Sequence, residues 1–414
     1  MNFKNTFLIV FICFFSIVSC QSKKKSVTDS TKTIKNTNID LKISVGANQT
    51  QQYLALLKNK NIGVVANQTS VIFKKKEHKK KSIEKSNYTH LVDSLLSLNI
   101  NIKKVFAPEH GFRGKADAGE YIANGKDTKT GIDIISIYGK NKKPFPKQLA
   151  NIDLMIFDIQ DVGARFYTYI SSLHYVMEAC AEQNIPLLIL DRPNPNGHYI
   201  DGPILEMQHK SFVGMHPIPV VHGMTIAEYA QMINGQKWLK NGVQCEITIV
   251  KCKNYTKTKS YDLPIKPSPN LPNAKAINLY PSLCFFEGTK VSAGRGTEMQ
   301  FQIYGAPFLP KTEFSFTPKP NEGAKYPKHK NKICYGEDLR NTEKLSQINL
   351  EWLISAYQNT KDKNAFFNAF FTKLAGTKKL QQQIESELTE KEIRNSWKKG
   401  LANYEVMRKR YLLY

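Results

Sequence analysis

The sequence lacks the short motifs that mark the commonest cofactor sites. No G-x-G-x-x-G follows the first predicted strand, and no G-x-x-x-x-G-K-[ST] occurs anywhere, so we do not expect the chain to hold a nucleotide. The nine histidines are scattered without H-x-x-x-H spacing, which argues against a catalytic zinc. A G-x-S-x-G elbow, the usual setting of a serine nucleophile, is absent as well. We therefore predict a protein without cofactor or metal.

Cysteine is scarce and unpatterned. Beyond Cys13 and Cys20 near the start, five cysteines remain, none has C-x-x-C spacing, and an odd number cannot all pair within one chain. We predict that they are small buried residues without a disulfide framework. They are Cys180, Cys245, Cys252, Cys284 and Cys334.

Acidic residues are few relative to basic ones: 35 Asp and Glu stand against 59 Lys and Arg, and the net charge is +24. The excess is spread through lysine runs such as 74–76 and 79–81, without clustered arginine on a recognition helix and without an aromatic RNA motif. We therefore expect no nucleic-acid partner. A basic exported protein is better matched to an anionic envelope polymer or a membrane surface, although solubility alone would explain most of these lysines.

The longest apolar run, Thr6 to Val18, is too short to cross a bilayer. Lys4 precedes it, and Ile17-Val18-Ser19-Cys20 ends it in a pattern that resembles the lipobox of bacterial lipoproteins, in which the cysteine is lipidated. The alternative is a plain secretory signal with an incidental cysteine; both imply export. We predict a signal peptide at 1–20, a flexible polar tether at 21–40, and an exported lipoprotein of the cell envelope that faces the periplasm.

From residue 41 onward, short apolar runs alternate with segments of helical periodicity. Strands that are apolar throughout and alternate with helices indicate a parallel sheet covered on both faces. We predict an α/β fold, with a Rossmann-like, mostly parallel sheet flanked by helices at 41–242 and a smaller α+β C-terminal domain at 243–414. The predicted strands of the sheet are 61–66, 102–107, 132–137, 153–158 and 187–190.

Polar residues follow three of these strands at the point where each ends. Because the carboxyl ends of parallel strands meet at one edge of a sheet, we expect these side chains to share a ligand site. A further cluster of acids and arginine lies among glycines at 286–300. The first group is Glu109, His110, Arg113 and Glu120; the second is Asp158, Gln160, Asp161, Arg165 and Tyr167; the third is Asp191, Arg192 and Asn194; the cluster in the second half contains Glu287, Arg295 and Glu298.

Carboxylates and arginines in loops are the ingredients of glycoside hydrolysis, which commonly uses one carboxylic acid to protonate the leaving oxygen and a second carboxylate as base or nucleophile. A sugar with an acidic substituent would also explain why an arginine accompanies each cluster.

Five ordered motifs resemble the NamZ-type exo-β-N-acetylmuramidases of bacterial peptidoglycan turnover: APEHGFRG at 107–114, FDIQDVGARFYTY at 157–169, LDRPNPNG at 190–197, PIPVVHGMTIAEYA at 217–230 and YPSLCFFEGTKVSAGRGTE at 280–298. The resemblance implies release of N-acetylmuramic acid (MurNAc) from the non-reducing ends of peptidoglycan fragments, such as its disaccharide with N-acetylglucosamine (GlcNAc). It also implies a cleft between the two domains, with the catalytic glutamate at Glu109.

We expect Glu109 to act as general acid. The second carboxylate is predicted to be Glu298, with Glu120 or Glu287 as replacements, or else the 2-acetamido group of the substrate fills this role. Arg165, Arg192 or Arg295 would hold the lactyl carboxylate of MurNAc. Two other classes remain open: an envelope lipoprotein that binds muropeptides without cleaving them, and an esterase or amidase acting on the same polymer.

Overall fold

The apolar runs of the first half form one sheet whose strands are buried on both faces. The computed structural model describes residues 42–74, 87–114, 120 and 123–414; the predicted signal peptide, Cys20 and tether lie outside these residues. Within the described residues the strands are β1 (Ile62–Ala66), β2 (Val71–Phe73), β3 (Tyr88–His90), β4 (Ile102–Ala107), β5 (Gly125–Lys126), β6 (Asp133–Ser136), β7 (Leu154–Asp158), β8 (Leu187–Leu190), β9 (Ile247–Val250), β10 (Ile303–Ala306), β11 (Ser315–Phe316) and β12 (Cys334–Asp338).

Helices connect these strands and form most of the C-terminal part. They are α1 (Thr50–Leu57), α2 (Leu91–Ser97), α3 (Pro146–Leu149), α4 (Tyr169–Glu182), α5 (Ile226–Gly235), α6 (Ala274–Leu283), α7 (Glu351–Gln358), α8 (Ala369–Ala375), α9 (Lys379–Glu385) and α10 (Glu390–Lys409). Among the described residues, no helix is both long and apolar enough to cross a membrane.

The main sheet has the order β5-β6-β4-β1-β7-β8-β9. Only β5 runs antiparallel to its neighbour, and the other six strands are parallel. This arrangement confirms the predicted α/β class. All five residues of β1 and of β7 are buried, as a sheet covered on both faces requires.

Successive side chains of each strand enter two different cores, because side chains of a strand point alternately to opposite faces. Val64 belongs to the core that holds α1 and α2. Its neighbour Val65 belongs to the larger core that holds α4, α5 and the C-terminal helices. Ile156 and Phe157 of β7 divide in the same way. The sheet is therefore flanked by helices on both faces.

A three-stranded antiparallel sheet, β10-β12-β11, and helices α7 to α10 form most of the second part of the chain. Residues 42–414 form one compact unit, and the domain boundary near Gly242 stays a prediction. The five described cysteines are buried and free, which confirms their predicted burial.

Most predicted element boundaries agree with the structure, and the differences have local causes. Thr225 and Glu228 form a capping box at the start of α5. The start of α6 is fixed by the Asn273 side chain, which caps the helix at the Ala276 N–H. Residues 88–90 pair with β2 as β3.

Candidate active site

A cavity of 460 Å³ lies beyond the carboxyl ends of β4 and β7, where open α/β sheets hold ligands. Loops after these two strands form one side, and the turn after α6 with the segments 268–271 and 295–301 forms the other. The acidic loop of each half of the chain contributes one carboxylate to the lining. These carboxylates belong to Glu109 and Glu287, and the predicted site residues His110, Tyr167 and Arg295 also line the cavity.

Glu109 lies in the turn that ends β4. The next two residues, His110 (φ +69°) and Gly111 (φ +75°), have left-handed backbone, so the chain turns directly after the carboxylate. Tyr138 Oη donates to Glu109 Oε1 at 2.8 Å, and Thr168 Oγ1 donates to Oε2 at 2.6 Å. A hydroxyl group can donate or accept. These two partners can therefore accommodate Glu109 with or without a proton.

Three buried tyrosines lie behind the carboxylates. Tyr167 packs edge-on against Tyr169 with ring centroids 4.9 Å apart and against Tyr280 at 5.9 Å. Burial raises the pKa of all three phenols, and the charges of Glu109 and Glu287 add to the effect on Tyr280. These phenols therefore stay protonated, and the Tyr167 hydroxyl donates to the Pro267 carbonyl at 2.7 Å. Tyr280 lies within the electrostatic reach of both carboxylates.

Glu287 is held by a charged partner. Arg295 Nη1 lies 3.2 Å from Glu287 Oε2, and the two side chains are each 23% exposed. A second nitrogen, Nη2, donates to the backbone carbonyl of Gly323 at 3.2 Å. Positive φ angles at Gly294 and Gly296, on either side of the arginine, give the loop its path. A guanidinium only donates, so the contact of Arg295 with Glu287 is a charge-assisted hydrogen bond.

Lys328 fixes the turn that carries Glu287. Its ammonium group donates to the backbone carbonyls of Phe286 and Thr289, both at 2.7 Å, and to that of Glu287 at 3.2 Å. Burial lowers the pKa of Lys328, and the charge of Glu287 opposes that effect. The position of the Glu287 backbone thus depends on a lysine from the following part of the chain.

Aromatic rings form the apolar walls of the cavity. Phe166 and Tyr280 meet edge-on at 5.3 Å, and Tyr280 and Phe301 meet at 4.9 Å. Phe212 forms another wall, with the ammonium group of Lys142 5.1 Å above its ring centroid. Apolar walls with a few convergent polar groups are typical of a pocket for a small organic ligand.

Arg165 lies in the core and does not line this cavity. Its side chain is fully buried, and burial lowers its pKa to about 9. Its two terminal nitrogens donate at 2.7 to 2.9 Å to the backbone carbonyls of Pro203, Ile218, Leu374 and Ala375. The expectation that Arg165 reaches a substrate carboxylate is therefore corrected: its donors tie the 203–218 connection to α8.

Arg192 is likewise placed away from the cavity. It forms a two-point ion pair with Asp158, at 2.6 and 3.0 Å, and both side chains are buried. Its Nη2 also donates to the backbone carbonyl of Val71 at 3.0 Å. Neither Asp158 nor Arg192 can bind substrate in this arrangement, because their charged groups are paired with each other and buried.

Apart from Tyr167, the remaining residues predicted for the site after β7 and β8 hold the loops together through hydrogen bonds and do not line the cavity. Gln160 Nε2 donates to the Pro193 carbonyl at 2.7 Å, and Asp161 Oδ2 accepts from the Gly163 N–H at 2.7 Å. Asp191 accepts from the Ala227 N–H in the first turn of α5 and from Tyr414 Oη, and Asn194 Nδ2 donates to the Met224 carbonyl. The polar groups follow three strands at one edge of the sheet. Of the carboxylates among them, only that of Glu109, in the loop after β4, lines the cavity.

Three other predicted residues have different locations. Arg113 pairs with Asp127 through two hydrogen bonds, at 2.7 and 3.2 Å, outside the cavity lining. Glu120 pairs with Lys325 at 2.6 Å. Glu298, the first choice for the second carboxylate, is exposed and lines a neighbouring cavity. Of the carboxylates considered for that role, the structure brings only Glu287 into the cavity with Glu109.

Sequence reasoning missed the two hydroxyl partners of Glu109. Tyr138 lies two residues after the end of β6, and Thr168 directly precedes α4. Both line the cavity. Both residues follow the carboxyl end of a strand of the main sheet, as the predicted charged residues do. Their position in the sequence could therefore have indicated them.

Two family models match consecutive parts of the chain. The model described as exo-beta-N-acetylmuramidase NamZ, N-terminal, matches residues 62–275, and its C-terminal counterpart matches residues 278–414. A curated relative, peptidoglycan beta-N-acetylmuramidase NamZ of Bacillus subtilis (strain 168), is 37% identical over 390 residues, which cover 87% of this chain and 89% of the relative.

Two solved structures share the fold. A DUF1343 family protein from Bacteroides fragilis NCTC 9343 has 46% sequence identity and a TM-score of 0.81, covering 90% of this chain and 99% of its own. A second DUF1343 family protein from the same strain has 26% identity and a TM-score of 0.71 with the same coverage. Matches to both family models across most of its length show that the chain belongs to the NamZ family of exo-β-N-acetylmuramidases.

Proposed function

We propose that this protein is an exo-acting glycoside hydrolase that releases MurNAc from the non-reducing ends of peptidoglycan fragments such as MurNAc-GlcNAc. The observation that carries the proposal is one cavity in which Glu109, Glu287 and Arg295 come together between aromatic walls. Membership of the NamZ family and the activity named for the Bacillus subtilis relative support it. Neither a metal nor a cofactor is needed for this reaction.

Glu109 is the proton donor in this proposal. Its carboxyl proton passes to the glycosidic oxygen while the bond from that oxygen to C1 breaks, and the bonding electron pair stays on the oxygen. The hydroxyl groups of Tyr138 and Thr168 suit such a residue, because they can turn to serve either protonation state during the cycle.

Glu287 replaces Glu298 as the proposed second carboxylate. Arg295 lies 3.2 Å from it, and a carboxylate in this position would stabilise the positive charge that develops at C1 in the transition state. The charge can act on C1 directly or through the 2-acetamido group of the substrate. Water then adds at C1 and gives one proton to the Glu109 carboxylate, which restores the acid, and the released sugar is free MurNAc.

Arg295 is the proposed contact for the lactyl carboxylate. Its guanidinium lines the cavity beside Glu287, and a planar guanidinium can bind a carboxylate through two parallel hydrogen bonds. A MurNAc end supplies that carboxylate, whereas a GlcNAc end does not. This mismatch is the physical basis for preferring MurNAc ends.

The test is release of free MurNAc from synthetic MurNAc-GlcNAc by the purified protein, followed by chromatography. Wild-type protein should release equimolar MurNAc and GlcNAc, and Glu109→Gln should release neither while its circular dichroism spectrum and melting temperature stay close to those of wild type. A chromogenic MurNAc glycoside provides the second substrate. A protein that only binds muropeptides would release no chromophore, and an esterase or amidase would leave the disaccharide whole.

We further propose that the chain is an exported lipoprotein whose lipid anchor is attached at Cys20, with residues 1–19 removed and residues 21–40 serving as tether. The lipobox-like sequence Ile17-Val18-Ser19-Cys20 supports this proposal. Cells fed an alkyne-tagged fatty acid should label the wild-type protein and not Cys20→Ala. Labelling of both forms, or of neither, would contradict the anchor.

A further inference from the structure

Helix α8 connects the two segments that carry the proposed catalytic carboxylates. At its start, the Asn368 N–H donates to the Gly288 carbonyl at 2.9 Å, and Asn368 Nδ2 donates to the Glu287 carbonyl at 3.4 Å. A Cβ on Gly288 would lie 2.5 Å from the Cα of Phe371, so a glycine is needed for the turn to pack this closely on the helix. The backbone of the Glu287 turn therefore lies directly against α8.

The other end of α8 is held by Arg165. Its Nη2 donates to the carbonyls of Leu374 and Ala375, the last two residues of the helix, at 2.9 and 2.7 Å. The last carbonyls of a helix have no partner within it and carry a partial negative charge, so a cation is favourable there. A Cβ on Gly376 (φ +74°), which ends the helix, would lie 2.7 Å from Arg165 Nη2. The end of α8 is therefore fixed on the loop after β7.

Arg165 also lies close in sequence to a partner of Glu109. Thr168, three residues further on, donates to Glu109 Oε2 at 2.6 Å. The segment between them is a tight turn, because the Tyr167 N–H donates to the Ala164 carbonyl at 2.9 Å. Hydrogen bonds and this short turn thus join Glu109, through Thr168 and Arg165, to α8.

The burial of Arg165 makes this connection costly. The side chain is fully buried, and among the residues that the structure describes its guanidinium donates to backbone carbonyls and pairs with no carboxylate. A buried cation without a counter-charge costs free energy, and burial lowers the pKa of Arg165 to about 9. Proteins break such rules mainly at functional sites, and here the carbonyls at the end of α8 are among the groups that the cation holds.

We propose that Arg165 is a positioning residue that sets, through α8, the separation between the carboxyl groups of Glu109 and Glu287. This inference rests on the proposed function, because it takes Glu287 as the second carboxylate. The separation matters because it decides whether that carboxylate can reach the anomeric carbon or leaves room for a water molecule. Arg165, which the sequence suggested as a substrate contact, acts in this account on the geometry of the two glutamates and not on the sugar.

The test is a double-mutant cycle on kcat for MurNAc-GlcNAc, with Glu287→Gln as the second background. Arg165→Lys keeps the charge but loses the planar donor fork, and Asn368→Ala removes the side-chain contact with the Glu287 carbonyl. Each should lower kcat about 10-fold when Glu287 is present, because small displacements of a catalytic group are costly. Each should change kcat less than about 2-fold in Glu287→Gln, where the carboxylate to be positioned is missing.

Thr389→Ala is the matched control for Asn368→Ala. Both variants remove the side chain that caps the start of a helix, α8 in one case and α10 in the other, and both positions are exposed. Thr389 does not line the cavity, so its variant should keep the wild-type kcat in both backgrounds although it also loses a helix cap. The melting temperature of each variant shows whether it folds.

Equal losses of kcat in the two backgrounds, the result of a purely structural role, would overturn the positioning role, and so would full activity of both variants. If Arg165→Lys does not fold, Asn368→Ala decides the question, because its side chain lies at the surface. A wild-type kcat for Glu287→Gln, or no cleavage by the wild-type protein, would overturn the proposed function in part or in whole, and this inference with it. An impaired Glu287→Gln with equal losses in both backgrounds removes only the positioning role.

Discussion

The two acidic loops of the cavity hold the same functional group in different ways. In the loop after β4, two neutral hydroxyl groups contact Glu109, one at each carboxylate oxygen. In the turn after α6, a guanidinium contacts Glu287, and the half-buried Lys328 holds the backbone of the turn. One carboxylate therefore contacts groups that can donate or accept a hydrogen bond, and the other contacts a group that only donates.

This difference matters because glycoside hydrolysis needs two carboxyl groups with separate tasks. In our account, the hydrogen-bond partners of each glutamate indicate which task it performs. Substitutions of the two glutamates, or of their partners, should therefore lower the activity by different amounts. Four predictions follow in order of expected size.

The largest effect is expected for Glu109→Gln. An amide cannot deliver a proton to the glycosidic oxygen, so kcat for MurNAc-GlcNAc should fall about 10³- to 10⁴-fold, in the upper range for a lost general acid. Glu298→Gln, at an exposed position in the neighbouring cavity, is a matched control and should lose far less. Similar losses in the two variants would contradict the assignment of the proton donor.

Glu287→Gln should come next, with a loss in kcat of about 10²- to 10³-fold because the transition state loses a fixed negative charge. Its KM should change less than its kcat, since the charge matters most when C1 becomes positive. A variant with wild-type kcat would exclude Glu287 from the chemistry. The proposed division of tasks between Glu109 and Glu287 would then be wrong.

Arg295→Met should lower kcat/KM on MurNAc substrates about 100-fold, because it removes both the partner of Glu287 and the proposed lactyl contact. Its distinctive result is in specificity: the preference for MurNAc over GlcNAc aryl glycosides should shrink. Arg295→Lys should recover part of the loss, since it keeps a charge without the two-point geometry. A uniform loss with the preference intact would argue that Arg295 only positions Glu287.

Tyr138→Phe and Thr168→Val should each cost about 10-fold in kcat, as expected for one hydrogen bond removed at a reacting group. Both keep the shape of the side chain, so the melting temperature should change little. The double variant measures the coupling of the two hydroxyl groups through Glu109. If both single variants are fully active, the hydroxyl partners do not support proton transfer.

The sheet could be predicted from sequence because its strands are apolar throughout, and that pattern depends only on burial at both faces. The start of α5 was predictable as well, since Thr225 and Glu228 form a local capping motif. The domain boundary and the catalytic roles stay predictions.

The site could be predicted only in part, because position after a strand does not reveal which way a side chain points. Arg165 and Arg192 had the right position but turn into the core, where backbone carbonyls and Asp158 satisfy them. The choice between Glu287 and Glu298 depended on the path of one glycine-rich loop. That path is fixed in part by Lys328, through contacts that no local pattern encodes.

The most direct measurement is the leaving-group dependence of the Glu109→Gln variant. An activated aryl glycoside of MurNAc, such as the 2,4-dinitrophenyl compound, leaves without protonation and so does not need a general acid. We predict that Glu109→Gln retains much of the wild-type kcat on this substrate while it fails on MurNAc-GlcNAc, and that Glu287→Gln is impaired on both. Equal loss on both substrates by Glu109→Gln would contradict its role as the proton donor and, with it, the division of labour between the two loops.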